Sequence, residues 1–473
     1  MKINAEKDPK KSVYIIIYIF LGIFVFMMGY FAYYISFRSP EVINNAYNKR
    51  QDILAQRVER GDILAAGGEI LAKTVVNKDG KESREYPYGD VFAHVIGRTS
   101  RGKTGIEETE DIRLLTSNVN AFEVMYNDLI GEKSPGDNVI TTLNANLQQV
   151  AYDALGGYRG AVVAIEPSTG KVLAMVSRPA YDPNSVDKDW KSLTDDVEKA
   201  PLLNRAAQGL YPPGSTFKIL TSLEYMRENP TSYKNYSYTC NGKIEYEGMN
   251  IHCYNKKVHG KEDLLKSFSK SCNTSFSNIG KGLNYDSFFS LCQSFLFNQK
   301  LPVEMHSSVS SFALKKGVSG IKEGMQTAIG QGNTLISPLQ NALISTSIAN
   351  GGVMMKPYVV DRIENANGNI VKHYSPQILA KPMNPEEAAF IGKMMRSVVT
   401  DGTGTKLKNM SKKVAGKTGS ADNSGGSAHA WFVGYAPYDN PEIVVSVIVE
   451  NVGSGSEYAV PIAKKILEAY FSK

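Results

Sequence analysis

The sequence carries little excess charge of either sign: its 53 basic and 47 acidic residues give a net charge of +6 over 473 residues. A nucleic-acid-binding surface would require clustered lysine and arginine, so we expect no nucleic-acid partner. Cysteine is scarce as well, with four residues in the whole chain. The length leaves room for two or three domains, the largest with a full hydrophobic core.

Charge and proline are both absent from residues 13–36, where isoleucine, phenylalanine, tyrosine, methionine and leucine dominate. About 20 such residues suffice to cross a bilayer. A cleaved signal peptide would have a shorter apolar core followed by a small-residue cleavage site, and neither is present. We therefore predict an uncleaved single-pass anchor, with the lysine-rich residues 1–12 in the cytoplasm and everything after the anchor outside the membrane.

A serine and a lysine three residues apart lie in the stretch around which the chain is organised, residues 211–220, YPPGSTFKIL. Ser215 and Lys218 would share one face of a helix that begins after the proline-glycine lead-in. A lysine whose pKa is lowered by burial can take the proton of a serine nucleophile. The pattern S-x-x-K recurs at five other serines, namely Ser100, Ser168, Ser185, Ser267 and Ser319. Only at Ser215 do the lead-in and a following apolar helix accompany it.

A second polar motif, Ser271-Cys272-Asn273, follows in a region predicted to be helical over residues 262–280. A serine and an asparagine separated by one residue can both face a cleft. Ser271 could relay a proton between Lys218 and a leaving amine, and the Asn273 amide could hydrogen-bond the substrate. S-x-N is too common to be specific without the other motifs.

A third motif, Lys417-Thr418-Gly419, lies in a predicted strand, and glycine at a strand edge lets another backbone approach closely. An extended peptide could pair there as an added strand. Lys417 is predicted to bind a substrate carboxylate together with the hydroxyls of Thr418 and Ser420. The backbone N–H groups of Ser420 and Ser215 are predicted to form an oxyanion hole. Repulsion between Lys417 and Lys218 would help to keep Lys218 neutral.

The hydrophobic patterns predict an α/β fold in which one antiparallel sheet, built from both ends of the catalytic sequence, is sandwiched by helices. Residues 161–165 and 172–176 read as a buried hairpin around a Pro/Gly turn. Further strands are predicted at residues 414–420, 430–435 and 443–449, and helices at 141–155 and 459–471.

Longer stretches carry a resemblance that covers nearly everything after residue 40: NRAAQGLYPPGSTFK, EPSTGKVLAMVSRPAYDPN, TAIGQGNTLISPLQNA, IANGG, KTGSA, HAWFVGYAP and RGDILAAGGEILA. With S-x-x-K, S-x-N and K-T-G in this order, the chain resembles the class B penicillin-binding proteins, the monofunctional peptidoglycan D,D-transpeptidases. Cys272 departs from many relatives at a position whose side chain does no chemistry.

The resemblance implies a transpeptidase fold on a smaller mixed α+β pedestal. The implied division is a tail at residues 1–12, an anchor at 13–36, a pedestal at 37–137 and a transpeptidase domain at 138–473. It further implies that Ser215 is acylated by peptidoglycan stem peptides and by β-lactam antibiotics. The expected partner is a membrane glycosyltransferase of the shape, elongation, division and sporulation family. No cofactor is expected.

The four cysteines, Cys240, Cys253, Cys272 and Cys292, are expected in an exported domain, where disulfides are allowed. A Cys240–Cys253 disulfide, a zinc site that also uses His252 or His259, and reduced buried thiols all remain open. We expect His429 to be a strand residue at the cleft wall rather than a general base.

Two rival functions use the same residues differently. A β-lactamase or a D,D-carboxypeptidase would transfer the acyl group to water, but a β-lactamase is expected to lack the stalk and to carry a deacylating carboxylate soon after S-x-N. A membrane β-lactam sensor would need a cytoplasmic signalling portion, for which twelve residues are too few. A scaffold that activates a glycosyltransferase could coexist with catalysis.

Overall fold

The N-terminal helix stands apart from the rest of the protein. The structure is a computed structural model that describes residues 9–34, 50–315, 317–423 and 426–472. Helix Pro9–Tyr33 contains the span Val13–Tyr33, 21 residues with a mean hydropathy of 2.4, none of it buried. This fits the predicted single-pass membrane anchor, since no part of the described chain covers its apolar surface. Residues 35 and 36 of the predicted span lie outside the described residues.

Five antiparallel strands form the central sheet, in the spatial order Ala415–Ala421, His429–Ala436, Ile443–Val449, Gly160–Ile165 and Val172–Arg178. Almost every residue of these strands is buried, which explains why they are near-continuous apolar runs rather than alternating patterns. The sheet therefore joins the two ends of the catalytic sequence, as predicted.

Helices cover the central sheet in two groups. Ala145–Leu155 and Ala459–Phe471 pack on each other and on the sheet, whereas Pro338–Ala349 and Pro385–Asp401 form a second pair that also packs on it. The predicted fold class, an antiparallel sheet sandwiched by helices on a mixed α+β pedestal, is confirmed.

The pedestal sheet has six strands, in the order Ile370–His373, Val360–Glu364, Asn138–Thr141, Ile63–Leu64, Ile70–Val76 and Glu82–Glu85. The short strands on either side of the Gly67-Gly68 turn, Ile63–Leu64 and Ile70–Val76, pair in antiparallel fashion. Two strands come from far along the sequence, because Val360–Glu364 pairs with Asn138–Thr141. The pedestal is thus tied to the catalytic domain by backbone hydrogen bonds.

Two helix predictions need correction. The helix predicted over residues 141–155 begins later, because Thr141 ends the strand Asn138–Thr141, whose backbone pairs with Val360–Glu364; the helix begins at Ala145, after the side chain of Asn144 accepts a hydrogen bond from Leu147 N. The helix predicted over residues 262–280 is interrupted at Ser271, which has a φ of 58°. A left-handed residue cannot continue a helix.

The remaining described helices are Arg50–Arg57, Ala93–Ile96, Gly105–Thr109, Asp111–Leu114, Ala121–Ile130, Val186–Asp195, Lys218–Glu228, Leu264–Ser269, Asn273–Gly282, Tyr285–Ser294 and Ile321–Thr327. Short 3-10 turns lie at Gly89–Phe92, Gly214–Phe217, Tyr233–Asn235, Tyr254–Lys256 and Thr405–Leu407. Paired short strands are Val58–Glu59 with Ser134–Pro135, Tyr238–Cys240 with Gly260–Glu262, Lys243–Tyr246 with Met249–His252, and Met354–Met355 with Ile378–Ala380.

Candidate active site

The serine of the first motif lies in a tight turn that leads into a buried helix. Gly214–Phe217 forms a 3-10 turn, and the α-helix Lys218–Glu228 continues from it. Gly214 has a φ of +52°, a conformation that favours glycine. Its N–H donates to Gly330 O at 2.9 Å, and a Cβ on Gly330 would lie only 1.9 Å from Gly214 O. The turn is therefore held by a backbone contact that only glycine at 330 permits.

The three motifs meet in one cleft of about 760 Å³. Its lining includes most of the predicted site residues, namely Ser215, Ser271, Asn273, Thr418, Gly419 and Ser420. Ser215 is partly exposed to the cleft. Within the described part of the chain, its hydroxyl has no hydrogen-bond partner, so it is available to a ligand.

Lys218 is fully buried beneath the cleft floor. Its Nζ donates to Ser271 O and to Asn273 Oδ1, each at 2.8 Å, and lies 3.3 Å from Ser271 Oγ. Burial lowers the pKa of Lys218 to about 8, because the charged form loses hydration. A substantial fraction of Lys218 is thus neutral near physiological pH, as a general base requires.

Ser271 lies between the two lysines. Lys417 is also fully buried, and its Nζ donates to Ser271 Oγ at 2.8 Å and to Thr418 O at 3.0 Å. Burial, and then the positive charge of Lys218, hold the pKa of Lys417 well below its usual range.

These causes bear on two predictions about Lys417. Burial is the largest cause that lowers the pKa of both lysines; repulsion lowers the pKa of Lys417 further, whereas the charge of Lys417 is not among the causes that shift the pKa of Lys218. The Lys417 side chain is fully buried, and its Nζ contacts Ser271 Oγ rather than lining the cleft. Thr418 does line the cleft.

The S-x-N motif joins two short helices, Leu264–Ser269 and Asn273–Gly282. Cys272 is the N-cap of the second helix, and its Sγ accepts from Ser275 N at 3.5 Å. Asn273 Nδ2 donates to the backbone carbonyl of His252 at 3.0 Å. The break between the helices aims Ser271 and Asn273 into the same cleft.

The K-T-G motif lies on the outer strand of the central sheet, Ala415–Ala421, which pairs on one side only, with His429–Ala436. One face of this strand packs against the turn of Ser215, since a Cβ on Gly419 would lie 3.3 Å from Pro213 O. Trp431 Nε1 also donates to Pro212 O at 3.0 Å. An unpaired strand edge beside the nucleophile is the arrangement needed to align an extended peptide.

Sequence reasoning missed several polar residues of this cleft, among them Thr403 and Ser456. Thr403 Oγ1 lies 2.5 Å from Thr418 Oγ1, and Ser456 Oγ donates to Thr403 O at 2.7 Å. They extend the row of hydroxyls that begins at Thr418. The signal was a small-residue loop, DGTGT, directly after a long helix.

The other matches of these patterns lie outside the cleft. Ser168 is in the turn of the Gly160–Ile165 and Val172–Arg178 hairpin, as predicted. We interpret a second K-T-G, at residues 103–105, as a turn on the pedestal surface. Its lysine and threonine are the last two residues of an eight-residue run, GRTSRGKT at 97–104, which has the spacing of a phosphate-binding loop. This run joins two short helices rather than a strand and a helix, and Lys103 Nζ pairs with Asp111 Oδ2 at 2.7 Å. The structural context of a nucleotide site is absent from this described segment.

His429 begins a strand, as predicted, and its Nδ1 accepts from Asn451 N at 3.2 Å. Burial lowers the pKa of His429. Cys240, Cys253 and Cys272 lie together beside the cleft with His259, and none of the four cysteines is joined in a disulfide. Cys292 is buried elsewhere.

Family models match most of the chain. The model described as "Penicillin binding protein transpeptidase domain" matches residues 160–468, and that described as "Penicillin binding protein A dimerisation domain" matches residues 60–139.

Several curated relatives are named peptidoglycan D,D-transpeptidases. The peptidoglycan D,D-transpeptidase PbpA of Mycolicibacterium smegmatis is 32% identical over 444 residues, which cover 87% of this chain and 89% of the relative. The peptidoglycan D,D-transpeptidase MrdA of Haemophilus influenzae is 31% identical over 433 residues, covering 81% of this chain and 65% of the relative.

Solved structures agree in fold. Penicillin-binding protein A from Mycobacterium tuberculosis, solved as its penicillin G acyl-enzyme complex, matches with a TM-score of 0.80 and 31% identity, covering 87% of this chain and 99% of that one. The D,D-transpeptidase domain of a peptidoglycan glycosyltransferase from Eggerthella lenta matches with a TM-score of 0.79 and 31% identity, covering 88% and 100% respectively.

Proposed function

The chain belongs to the class B penicillin-binding proteins and is a peptidoglycan D,D-transpeptidase, and from this premise we propose that Ser215, Lys218 and Ser271 are its catalytic residues. The observation that carries the assignment is the position of Ser271 Oγ, 3.3 Å from Lys218 Nζ and 2.8 Å from Lys417 Nζ. A proton arriving at Lys218 has a continuous hydrogen-bonded route to Ser271, and Ser271 opens onto the cleft.

In the first half-reaction, Ser215 Oγ attacks the penultimate D-Ala carbonyl of a stem peptide and passes its proton to neutral Lys218. The bond to the terminal D-Ala nitrogen then breaks, and that nitrogen takes up the proton through Ser271. In the second half-reaction, an amine of a neighbouring stem peptide attacks the acyl carbon. The amine loses a proton to the same network, and Ser215 regains its hydrogen.

The other site residues bind and orient the substrate in this proposal. Asn273 hydrogen-bonds a substrate amide, and Gly419 leaves room for the peptide to pair along its strand. Thr418 and Ser420 hold the terminal carboxylate, with Lys417 behind them fixing Ser271. The N–H groups of Ser215 and Ser420 stabilise the oxyanion. β-Lactams acylate Ser215 in the same cleft, as penicillin G acylates the relative from Mycobacterium tuberculosis.

We also propose the division of the chain stated above, with a pedestal at residues 37–137 and a transpeptidase domain at 138–473. The helix at Pro9–Tyr33 anchors the protein with residues 1–12 in the cytoplasm and the catalytic domain outside. The partner is a membrane glycosyltransferase of the shape, elongation, division and sporulation family. Support for a pedestal contact comes from Ala121–Ile130, which has no buried residue and exposes five large apolar side chains: Phe122, Met125, Tyr126, Leu129 and Ile130.

Crosslinking assays with lipid-linked peptidoglycan test the reaction. The wild-type protein should release terminal D-Ala and form crosslinked peptides in matching amounts, because the acyl group passes to an amine. Ser215→Ala should do neither, whereas Ser168→Ala, which removes a surface serine with the same S-x-x-K spacing, should behave as wild type. Release of D-Ala without crosslinks would instead identify a hydrolase.

A further inference from the structure

Four side chains that the transpeptidase reaction does not use converge beside the active-site cleft. This thiol cluster consists of Cys240, Cys253, Cys272 and His259, whose ligand atoms all lie within 4.8 Å of one another. Cys240 Sγ is 3.7 Å from Cys253 Sγ and 3.4 Å from His259 Nδ1, and Cys253 Sγ is 3.8 Å from Cys272 Sγ. Three sulfurs and one ring nitrogen thus surround a common centre.

These separations match the edges of a zinc coordination tetrahedron. A zinc ion about 2.3 Å from each sulfur and about 2.0 Å from nitrogen would separate two sulfurs by about 3.8 Å and a sulfur from a nitrogen by about 3.5 Å. Cys₃His is a usual ligand set for structural zinc. A metal ion could bind without rearrangement of the backbone, because the four ligand atoms already lie within 4.8 Å of one another.

The surroundings of the sulfurs suit thiolates rather than a packed apolar core. Gly242 N donates to Cys240 Sγ at 3.4 Å, and Thr274 Oγ1 donates to the same sulfur at 3.2 Å. Ser275 N donates to Cys272 Sγ at 3.5 Å. Hydrogen bonds of this kind orient and stabilise metal-bound sulfur.

The segment that supplies three of the ligands buries few other apolar side chains, chiefly Ile251 against the main core. Residues 238–262 form two small antiparallel ribbons, Tyr238–Cys240 with Gly260–Glu262 and Lys243–Tyr246 with Met249–His252. Their strands are mostly exposed or half-buried, and the local apolar cluster consists of Cys240, Cys253 and Cys272 with Tyr238 against them. Two ribbons this small need a cross-link to hold one conformation.

The cluster is connected directly to the S-x-N motif. Cys272 lies between Ser271 and Asn273, and Asn273 Nδ2 donates to the carbonyl of His252, the residue before Cys253. Ser271 adopts the left-handed conformation, which is strained for a residue other than glycine and persists only where its surroundings enforce it. An anchor on the next residue supplies that constraint.

We propose that Cys240, Cys253, Cys272 and His259 bind one structural zinc ion, which fixes the ribbons and positions Ser271 and Asn273. Binding converts the three thiols to thiolates and releases their protons to solvent. The zinc ion has four protein ligands and is not a catalytic metal. The positioning effect rests on the proposed roles of Ser271 and Asn273, whereas the metal site itself does not.

Elemental analysis of the full-length protein, purified in detergent without chelator, tests the site. We expect about one zinc per chain. Cys240→Ala and His259→Ala should each lower the zinc content and the melting temperature. Cys292→Ala is the matched control, because it removes a buried cysteine outside the cluster, and it should retain the metal. Cobalt(II) exchanged into the wild-type site should give the visible absorption of tetrahedral thiolate coordination, which does not depend on any variant folding.

Two outcomes would overturn the proposal. One is protein that contains no zinc and takes up neither zinc nor cobalt. The other is a loss of two titratable thiols in the unreduced, denatured protein, which would indicate a Cys240–Cys253 disulfide.

The positioning effect has its own readout. Removing zinc should slow acylation by penicillin about tenfold or more, with a smaller change in the affinity of the initial complex, and adding zinc back should restore the rate. A rate unchanged in the metal-free protein would contradict the positioning role. Ser215→Ala should lose acylation but keep its zinc, so failure of the proposed nucleophile and failure of the metal site give different results.

Discussion

At the scale of single residues, Lys218 is the residue that we propose as the base. It is a fully buried amine without a carboxylate among its hydrogen-bond acceptors, which are Ser271 O, Ser271 Oγ and Asn273 Oδ1. An ammonium group held only by neutral acceptors in a dry site releases its proton more readily than one in water. Burial lowers the pKa of Lys417 as well, and the positive charge of Lys218 lowers it further.

The pH dependence of acylation follows from this. Because the neutral amine is the base and the pKa of Lys218 is about 8, the rate of acylation by penicillin should rise as pH increases through about 8 and then level off. Lys218→Arg should lose about 10²–10⁴-fold in rate, since arginine stays protonated. Stopped-flow acylation at a series of pH values measures both. A wild-type rate that is flat from neutral to alkaline pH would count against Lys218 as the base.

The Lys417→Ala variant tests whether burial or repulsion lowers the pKa of Lys218. Because burial, and not the charge of Lys417, lowers the pKa of Lys218, removing Lys417 should lower the rate through the lost contact with Ser271 but leave the midpoint of the pH profile in place. A midpoint that moves upward in this variant would show that repulsion, as the sequence suggested, controls the pKa of Lys218.

At the scale of elements, the nucleophile turn depends on backbone contacts that side chains cannot replace. Gly330 has a φ of +75°, and a Cβ there would lie 1.9 Å from Gly214 O. Gly332 has a similar φ of +82°, but its nearest neighbours would be 3.9 Å away. Both glycines adopt a positive φ, but only at Gly330 would a Cβ clash with a neighbouring atom.

Alanine at these two positions therefore gives a matched comparison. Gly332→Ala should destabilise the protein by about 1 kcal/mol, the cost of a left-handed alanine, and leave acylation nearly unchanged. Gly330→Ala should cost more and should slow acylation, because the turn that carries Ser215 must move. Thermal unfolding and penicillin acylation rates measure the two effects. Equal behaviour of the two variants would show that the close approach of Gly330 to Gly214 does not hold the turn.

The sequence predicted the helices and strands of the site better than the boundaries and breaks between them. S-x-x-K and K-T-G were assigned to the correct local context, because proline, glycine and apolar periodicity are local signals, whereas S-x-N was placed in a helical region that the structure interrupts at Ser271. The strand at Asn138–Thr141 was missed, since its partner lies more than 200 residues away in sequence at Val360–Glu364. The left-handed Ser271 was missed for a similar reason, because distant contacts impose it.

Local sequence patterns also could not predict which side chains would be buried or which distant residues would meet. Nothing near Lys417 in sequence reveals that its amine ends on Ser271 rather than in the cleft. The cysteines suggested a disulfide or a metal, but only the fold brings Cys272 to Cys240 and Cys253 and selects His259 over His252. Thr403 joins Thr418 across two elements, and no spacing rule links them.

At the scale of the whole molecule, the pedestal and the catalytic domain are joined by strand pairing as well as by the chain itself. The pedestal sheet takes strands from Ile63–Leu64 and also from Val360–Glu364, which lies within the sequence matched by the transpeptidase model.

The acylated residue tests the account most directly. The full-length protein is incubated with penicillin, and the adduct is measured by intact mass and located by peptide mapping. We predict one adduct per chain, on Ser215, absent from Ser215→Ala and retained in Ser168→Ala. An adduct on another serine, or undiminished labelling of Ser215→Ala, would contradict the assignment of Ser215 as the nucleophile.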